Sequence, residues 1–361
     1  MGERSRGRAL GLKAAVGGLV ALGVLGAVFA PSALGASSGA SEPVVASQSK
    51  AAVGVVGAGG AAGASGVAVP GTGSMAVAPR IAATSSADWN VAAATKFWTT
   101  ARLDSATPVG GSSAAVRSGR AAVAGKAPQA VTANMAYSYH FAGTPTTGVI
   151  FYRSTGDLTT HYCTASVVNS AHGNMIVMAA HCNPGSWMAY VPDYKHGLSA
   201  AKQPYGIWPV TKVFKDAHFT SSYGAPSDYD YAFAQVANNA QGKTVQSVTG
   251  GNWLTRTSSY YLYVTVLGYP KITADSADSA IRCTPKVRTS KLAGYRQMVT
   301  YCTGFYGGTS GGPWITYFNG KSGWIVGLTG GEDAGGPNSW TSYSPIFDDR
   351  IFSLFSYAQA H

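Results

Sequence analysis

The chain has 361 residues, 46% of them hydrophobic and 11% charged, with 46 glycines and a formal net charge of +11. That content suits a folded protein of two or three domains and excludes a wholly disordered chain. The charge does not mark a nucleic-acid binder: residues 136–361 hold 15 Lys/Arg against 11 Asp/Glu, a balance of +4, with no basic cluster interleaved with aromatics.

In chain order, Arg4, Arg6, Arg8 and Lys13 precede an uncharged run from Ala14 to Ala30, followed by the small residues Pro31-Ser32-Ala33-Leu34-Gly35-Ala36. A basic start, a short apolar run and a small-residue exit predict a secretory signal peptide over 1–36. The run is rich in Gly and Ala and short of the ~20 apolar residues of a spanning helix, so no lasting membrane association is expected. From Ser37 to about Ala87 the composition is Ala, Gly, Ser and Val, with too little bulk to offset the entropy of ordering. Phe97, Trp98 and Leu103 among alanines predict a short amphipathic helix within Val91–Leu103. Small residues return over Gly110–Gly125, with Arg117, Arg120 and Lys126 offered to processing enzymes. The whole stretch 37–135 reads as a pro-region or flexible linker, with the pro-region expected to inhibit the C-terminal domain or assist its folding.

The domain expected over 136–361 is dense in short β-type runs: Gly148–Tyr152, Ala165–Val168, Met175–Ala180, Tyr231–Val236, Tyr260–Leu267, Met298–Tyr301 and Gly323–Thr329. Turn residues punctuate them and no long 3.6-residue period intervenes, which predicts an all-β sandwich or barrel. Only Asp348–Gln359 differs, with Ile351, Phe352, Leu354, Phe355 and Ala358 on one helical side.

Three places carry chemistry. In Gly307-Gly308-Thr309-Ser310-Gly311-Gly312-Pro313 a serine sits among four glycines, which permit a sharp turn that presents its hydroxyl. If Ser310 attacks a carbonyl, the N–H groups of Gly308 and Ser310 can meet the oxygen that becomes negative. Such a nucleophile needs a base and a carboxylate to orient it. His181 ends the apolar run Ile176–Ala180, and Asp228 and Asp230 precede the strand-like Tyr231–Ala234. The four cysteines favour disulfides in an exported chain, with three pairings open. None has the two-to-four-residue spacing of a structural zinc site, so no metal or cofactor is expected.

Ala179-Ala180-His181-Cys182, Asp230-Tyr231-Ala232-Phe233 and Gly308-Thr309-Ser310-Gly311-Gly312-Pro313, in that order and 49 and 80 residues apart, resemble the three signature blocks of chymotrypsin-fold serine peptidases. The resemblance covers about residues 145–361. It implies two six-stranded antiparallel β-barrels, about 145–245 and 246–361, with the C-terminal helix closing the second. It also implies a cleft where His181 is the base, Asp230 rather than Asp228 its orienting carboxylate, and Ser310 the nucleophile. The activity implied is a secreted, extracellular serine endopeptidase acting on proteins or peptides, and the bridges are Cys163–Cys182 and, by elimination, Cys283–Cys302. Thr309 stands where animal digestive enzymes carry an aspartate, and no Ile-Val-Gly-Gly start is present, so the chain is more similar to secreted bacterial members. Tyr306 replaces a bridging cysteine of many relatives.

The same resemblance places Gly304 at the base of the specificity pocket, and Thr329, Gly330 and Gly331 on the strand that pairs with substrate. Thr329 is expected to hydrogen-bond the buried Asp230. With no aspartate at Gly304 and no histidine at Thr329, a neutral, apolar residue before the scissile bond is expected, with Glu332 and Asp333 at the rim. Gly308-Thr309-Ser310-Gly311-Gly312 also satisfies the G-x-S-x-G elbow of secreted esterases and lipases, but their order is Ser, acid, His, and only the terminal His361 follows Ser310. A silent homologue acting as a binding module is the other alternative, and no triad member is lost here.

Overall fold

The computed structural model describes residues 79–109, 133–182, 185–270 and 279–361. The expected signal peptide and most of the expected spacer lie outside the described residues. In chain order the strands are β1 (Pro79–Thr84), β2 (Thr107–Pro108), β3 (Tyr139–His140), β4 (Thr147–Arg153), β5 (Thr160–Val167), β6 (Met175–Met178), β7 (Ser186–Pro192), β8 (Trp208–Asp216) and β9 (Ala232–Val236). Further along are β10 (Trp253–Leu254), β11 (Thr265–Gly268), β12 (Ile281–Cys283), β13 (Ser290–Lys291), β14 (Gln297–Tyr301), β15 (Pro313–Thr316), β16 (Trp324–Leu328) and β17 (Thr341–Pro345). The helices are α1 (Val91–Phe97), α2 (Thr100–Asp104), α3 (Val245–Thr249) and α4 (Asp349–Ala360).

The first half closes into a six-stranded antiparallel barrel in the order β8-β7-β4-β5-β6-β9, with β9 returning to β8. Strand β4 is buried at Thr147–Tyr152 on both faces, whereas an antiparallel strand with one wet face alternates. The reason is visible in its neighbours. Ile150 and Tyr152 point into the barrel core, while Val149 and Phe151 point outward into a second cluster with Trp89, Trp98, Leu103 and Ala106. Residues 79–109, expected to be spacer with one short helix, are thus folded onto the barrel: β1 pairs antiparallel with β8, and β2 runs parallel to β5. Asn90 and Thr99 cap the two upstream helices, accepting from the N–H groups of Ala93 and Arg102.

The second half, among the described residues, is an open six-stranded sheet, β10-β16-β15-β11-β12-β3, and a three-stranded sheet, β13-β14-β17. The two share a core that includes Val266, Cys283, Met298, Cys302, Trp314 and Val326. Among the described residues the pairing of these sheets does not close into a ring, and β10 joins β16 in parallel. Both expected disulfides are present, Cys163–Cys182 and Cys283–Cys302. Helix α4, expected to close the second half, instead packs on the first: Phe355 meets Phe233, Tyr357 meets Phe214, and Gln235 donates to the Ala358 carbonyl. Ile351, Leu354 and Ala358 are fully buried against the outside of the first barrel, because the outer surface of β8 and β9 offers the apolar area their helical stripe needs. No helix among the described residues is long and apolar enough to cross a membrane.

Candidate active site

His181 lies on a single 3₁₀ turn, Ala180–Cys182, directly after the fully buried β6. The disulfide to Cys163 ties that turn to β5, and the Tyr152 hydroxyl donates to the Cys182 carbonyl. Burial pushes the Tyr152 pKa well above the ordinary phenol range, so the hydroxyl keeps its proton and stays a donor. Strand β9 pairs with β6 so that Met178 faces Ala232; continuing that antiparallel register brings Asp230 beside His181. Asp230 Oδ2 lies 2.6 Å from His181 Nδ1, and Asp230 Oδ1 accepts the His181 backbone N–H at 2.8 Å. Gly331 N–H donates to Oδ2 at 2.7 Å, so the fully buried carboxylate is met by three N–H donors. A Cβ on Gly330 would come within 3.1 Å of Asp230 Oδ2. Asp228, the neighbouring carboxylate, accepts instead from Arg296 N–H at 3.0 Å and Gln297 Nε2 at 2.9 Å.

The Ser310 turn crosses from the second half to the first. Thr164 on β5 donates its N–H to the Ser310 carbonyl at 2.9 Å and its hydroxyl to the Gly308 carbonyl at 2.8 Å. Gly308 and Gly311 both have positive φ, +97° and +80°. Close approach requires glycine here as well. A Cβ on Gly308 would stand 2.6 Å from the Tyr269 carbonyl oxygen, and one on Gly311 would stand 2.2 Å from the Thr164 carbonyl oxygen and 3.0 Å from Ala179 N. The turn therefore abuts the chain two residues before His181. Ser310 is 1% exposed, and His181 Nε2 is buried with no hydrogen-bond partner among the described residues, Ser310 included. The Gly308 N–H donates at 3.0 Å to the carbonyl of Val109, from the upstream segment.

Of the residues assigned to substrate, Gly304 has φ +83° and a Cβ there would meet Ser138 Oγ at 2.5 Å. Thr329 does not bond Asp230: its hydroxyl accepts the Trp314 indole N–H at 3.1 Å, and the Gly331 N–H takes the carboxylate instead. The reason is packing, since Trp314 is wholly buried and its N–H must find an acceptor. Glu332 is engaged by Gly224 N–H and the Ser227 hydroxyl. His181 also lines a cavity of about 490 Å³ with Arg80, Lys215, Phe219 and Thr220–Ser222. Burial holds the Lys215 pKa below its usual value, Arg80 adds to the effect, and Asp230 opposes it. Neither basic residue, nor Val109, carried a local sequence signal, because each reaches the site by strand pairing across distant segments. Cys163, His181 and Cys182 bring three potential ligand atoms within 4.8 Å, but the two sulfurs are bonded to each other and are not available to a metal.

Comparison with models of known protein families gives no match, nor does comparison with curated proteins. Among solved structures, the protease Anisep from Arthrobacter nicotinovorans is 25% identical with a TM-score of 0.52, covering 62% of this chain and 100% of its own. A thermostable serine protease, AL20, from an extremophilic microorganism is 22% identical with a TM-score of 0.49, covering 60% of this chain and 98% of its own. A Glu endopeptidase is 16% identical with a TM-score of 0.46, covering 62% and 97%. The chain has the chymotrypsin-like fold of bacterial serine proteases, with one closed six-stranded barrel and a C-terminal helix. It is a protease, a hydrolase of peptide bonds.

Proposed function

We propose that the chain is a secreted serine endopeptidase working through His181, Asp230 and Ser310. The observation that carries this reading is the double hold of Asp230 on His181, at Nδ1 and at the backbone N–H, which leaves Nε2 as the only ring nitrogen without a partner. An Nδ1–H bonded to a carboxylate leaves Nε2 as the basic nitrogen. His181 Nε2 takes the Ser310 proton as Oγ attacks the scissile carbonyl, Asp230 stabilises the imidazolium, and the N–H groups of Gly308 and Ser310 receive the oxyanion. The imidazolium then protonates the leaving amine, and water releases the acyl group by the same steps in reverse order of roles.

A neutral, apolar residue is taken before the scissile bond, a reading supported by the absence of a charged side chain at Gly304 and Thr329 and by the engagement of Glu332 elsewhere. Export is supported by the leader pattern and by two disulfides. The region before residue 136 acts as an intramolecular inhibitor or folding aid. A fluorophosphonate with peptide mapping tests the triad: the adduct is expected on Ser310 of processed protein and lost in His181→Ala. An adduct elsewhere, or equal labelling in the variant, overturns the assignment.

A further inference from the structure

Residues 79–109 reach the candidate active site at both ends. After β2, Val109 donates its N–H to the Tyr162 carbonyl at 3.1 Å and accepts the Gly308 N–H at 3.0 Å. Thr107 holds the same end: its hydroxyl lies 2.8 Å from His161 Nδ1 and 3.1 Å from the Thr160 carbonyl oxygen. At the other end, Arg80 on β1 lines the cavity that His181 shares with Lys215. Between them, the Trp89 indole donates to the Met188 carbonyl and the Trp98 indole to the Trp187 carbonyl, while Leu103 and Ala106 pack on Val149, Phe151 and Tyr162. With the segment seated, Ser310 is 1% exposed and His181 Nε2 is covered.

We propose that residues 79–109 are a self-contained inhibitor whose Val109 carbonyl occupies the Gly308 hydrogen-bond donor that the reaction's oxyanion requires. The proposal rests on the role given to Gly308 under the proposed function and adds where and how inhibition acts. An N–H already bonded to a carbonyl is not available to a developing oxyanion, and loss of one such donor lowers turnover by about 10²–10³. The segment is held by its own apolar contacts and strand pairings, not only by covalent linkage. Cutting the chain between residues 110 and 132 therefore leaves the fragment in place, and activity appears only as the fragment dissociates, by mass action.

The full chain is cut at Arg117, Arg120 or Lys126 with immobilised trypsin, the protease is removed, and labelling of Ser310 by a fluorescent fluorophosphonate is followed while gel filtration reports whether the fragment co-elutes. The expected result is slow labelling while the fragment is bound, rising at least about tenfold on dilution. The same rise is expected without dilution in cut Leu103→Asp, and a smaller one in cut Thr107→Val, which keeps the apolar anchor and guards against a folding defect. Full-rate labelling with the fragment still bound overturns the inhibitor while leaving the protease reading intact. No labelling after the fragment has been shed overturns the protease reading itself, and the inhibitor with it.

Discussion

At the residue scale, the proposed chemistry turns on which carboxylate meets His181, and the proposed specificity on the uncharged residues Gly304 and Thr329. The two neighbouring aspartates are separated by a turn: Asp228 serves β14, and Asp230 serves His181. For specificity, a panel of fluorogenic tetrapeptides varied before the scissile bond is expected to be cut fastest after large apolar residues by processed protein. Fastest cleavage after Arg or Glu overturns that reading. A titratable residue away from the site makes a different test. Asp193, at φ 48° after β7, pairs with Lys195 at 2.8 Å, yet burial raises its pKa above the usual carboxylate value against the pull of that lysine. A folded state that holds the proton more tightly than the unfolded chain loses stability as pH rises through the carboxyl range. Asp193→Asn tolerates the left-handed backbone and removes that loss. Its melting temperature relative to wild type is therefore expected to increase between about pH 4 and pH 7; a flat difference across that range refutes the argument.

At the scale of elements, apolar pattern was a sound guide to existence and a poor guide to partners. Gly148–Tyr152, Ala165–Val168, Met175–Ala180, Tyr231–Val236, Met298–Tyr301 and Gly323–Thr329 all fall on strands. Tyr260–Leu267 is strand only from Thr265, because Tyr261 and Tyr263 are exposed and unpaired with a neighbouring strand. Strand β8 carries no such pattern, since Pro209, Lys212 and Lys215 interrupt its apolar run while the barrel supplies the missing contacts, whereas Trp187–Val191 of β7 is apolar throughout and ends at Pro192. The terminal helix was legible from its stripe, but a stripe does not name the surface it covers. Its docking on the first barrel has a measurable consequence. Leu354→Ala leaves a cavity beside β8 and β9 and is expected to cost about 2–5 kcal/mol in guanidinium unfolding. An exposed-site value well below 1 kcal/mol, or a loss confined to the second half, counts against that docking.

At the scale of the whole molecule, the two halves are joined where the chemistry lies. Thr164 holds the Ser310 turn, Gly331 holds Asp230, and Asn169 and Asn252 are linked by backbone pairing. Neither half therefore keeps its site geometry without the other. Unfolding in urea, followed by tryptophan fluorescence and by residual peptidase activity of processed protein, is expected to give coincident transitions. Activity lost well before fluorescence changes argues for halves that part while still folded.

What the amino-acid order determined alone was local and periodic: the β character of the region after residue 136, the helical stripe at its end, and the glycine-rich serine turn whose spacing from His181 and Asp230 carried the family resemblance. These are written in side-chain size, period and backbone freedom. Tertiary structure alone decided that Thr329 turns to Trp314 and Gly331 to Asp230, that the last helix sits on the first barrel, and that Val109 seats against Gly308. Each of these depends on which surfaces meet across long stretches of chain, and a linear pattern records only that a surface is apolar or a donor is present. Val149 and Phe151 show the limit most plainly: their apolarity announced a covered face, and only the folded chain shows that residues 79–109 cover it.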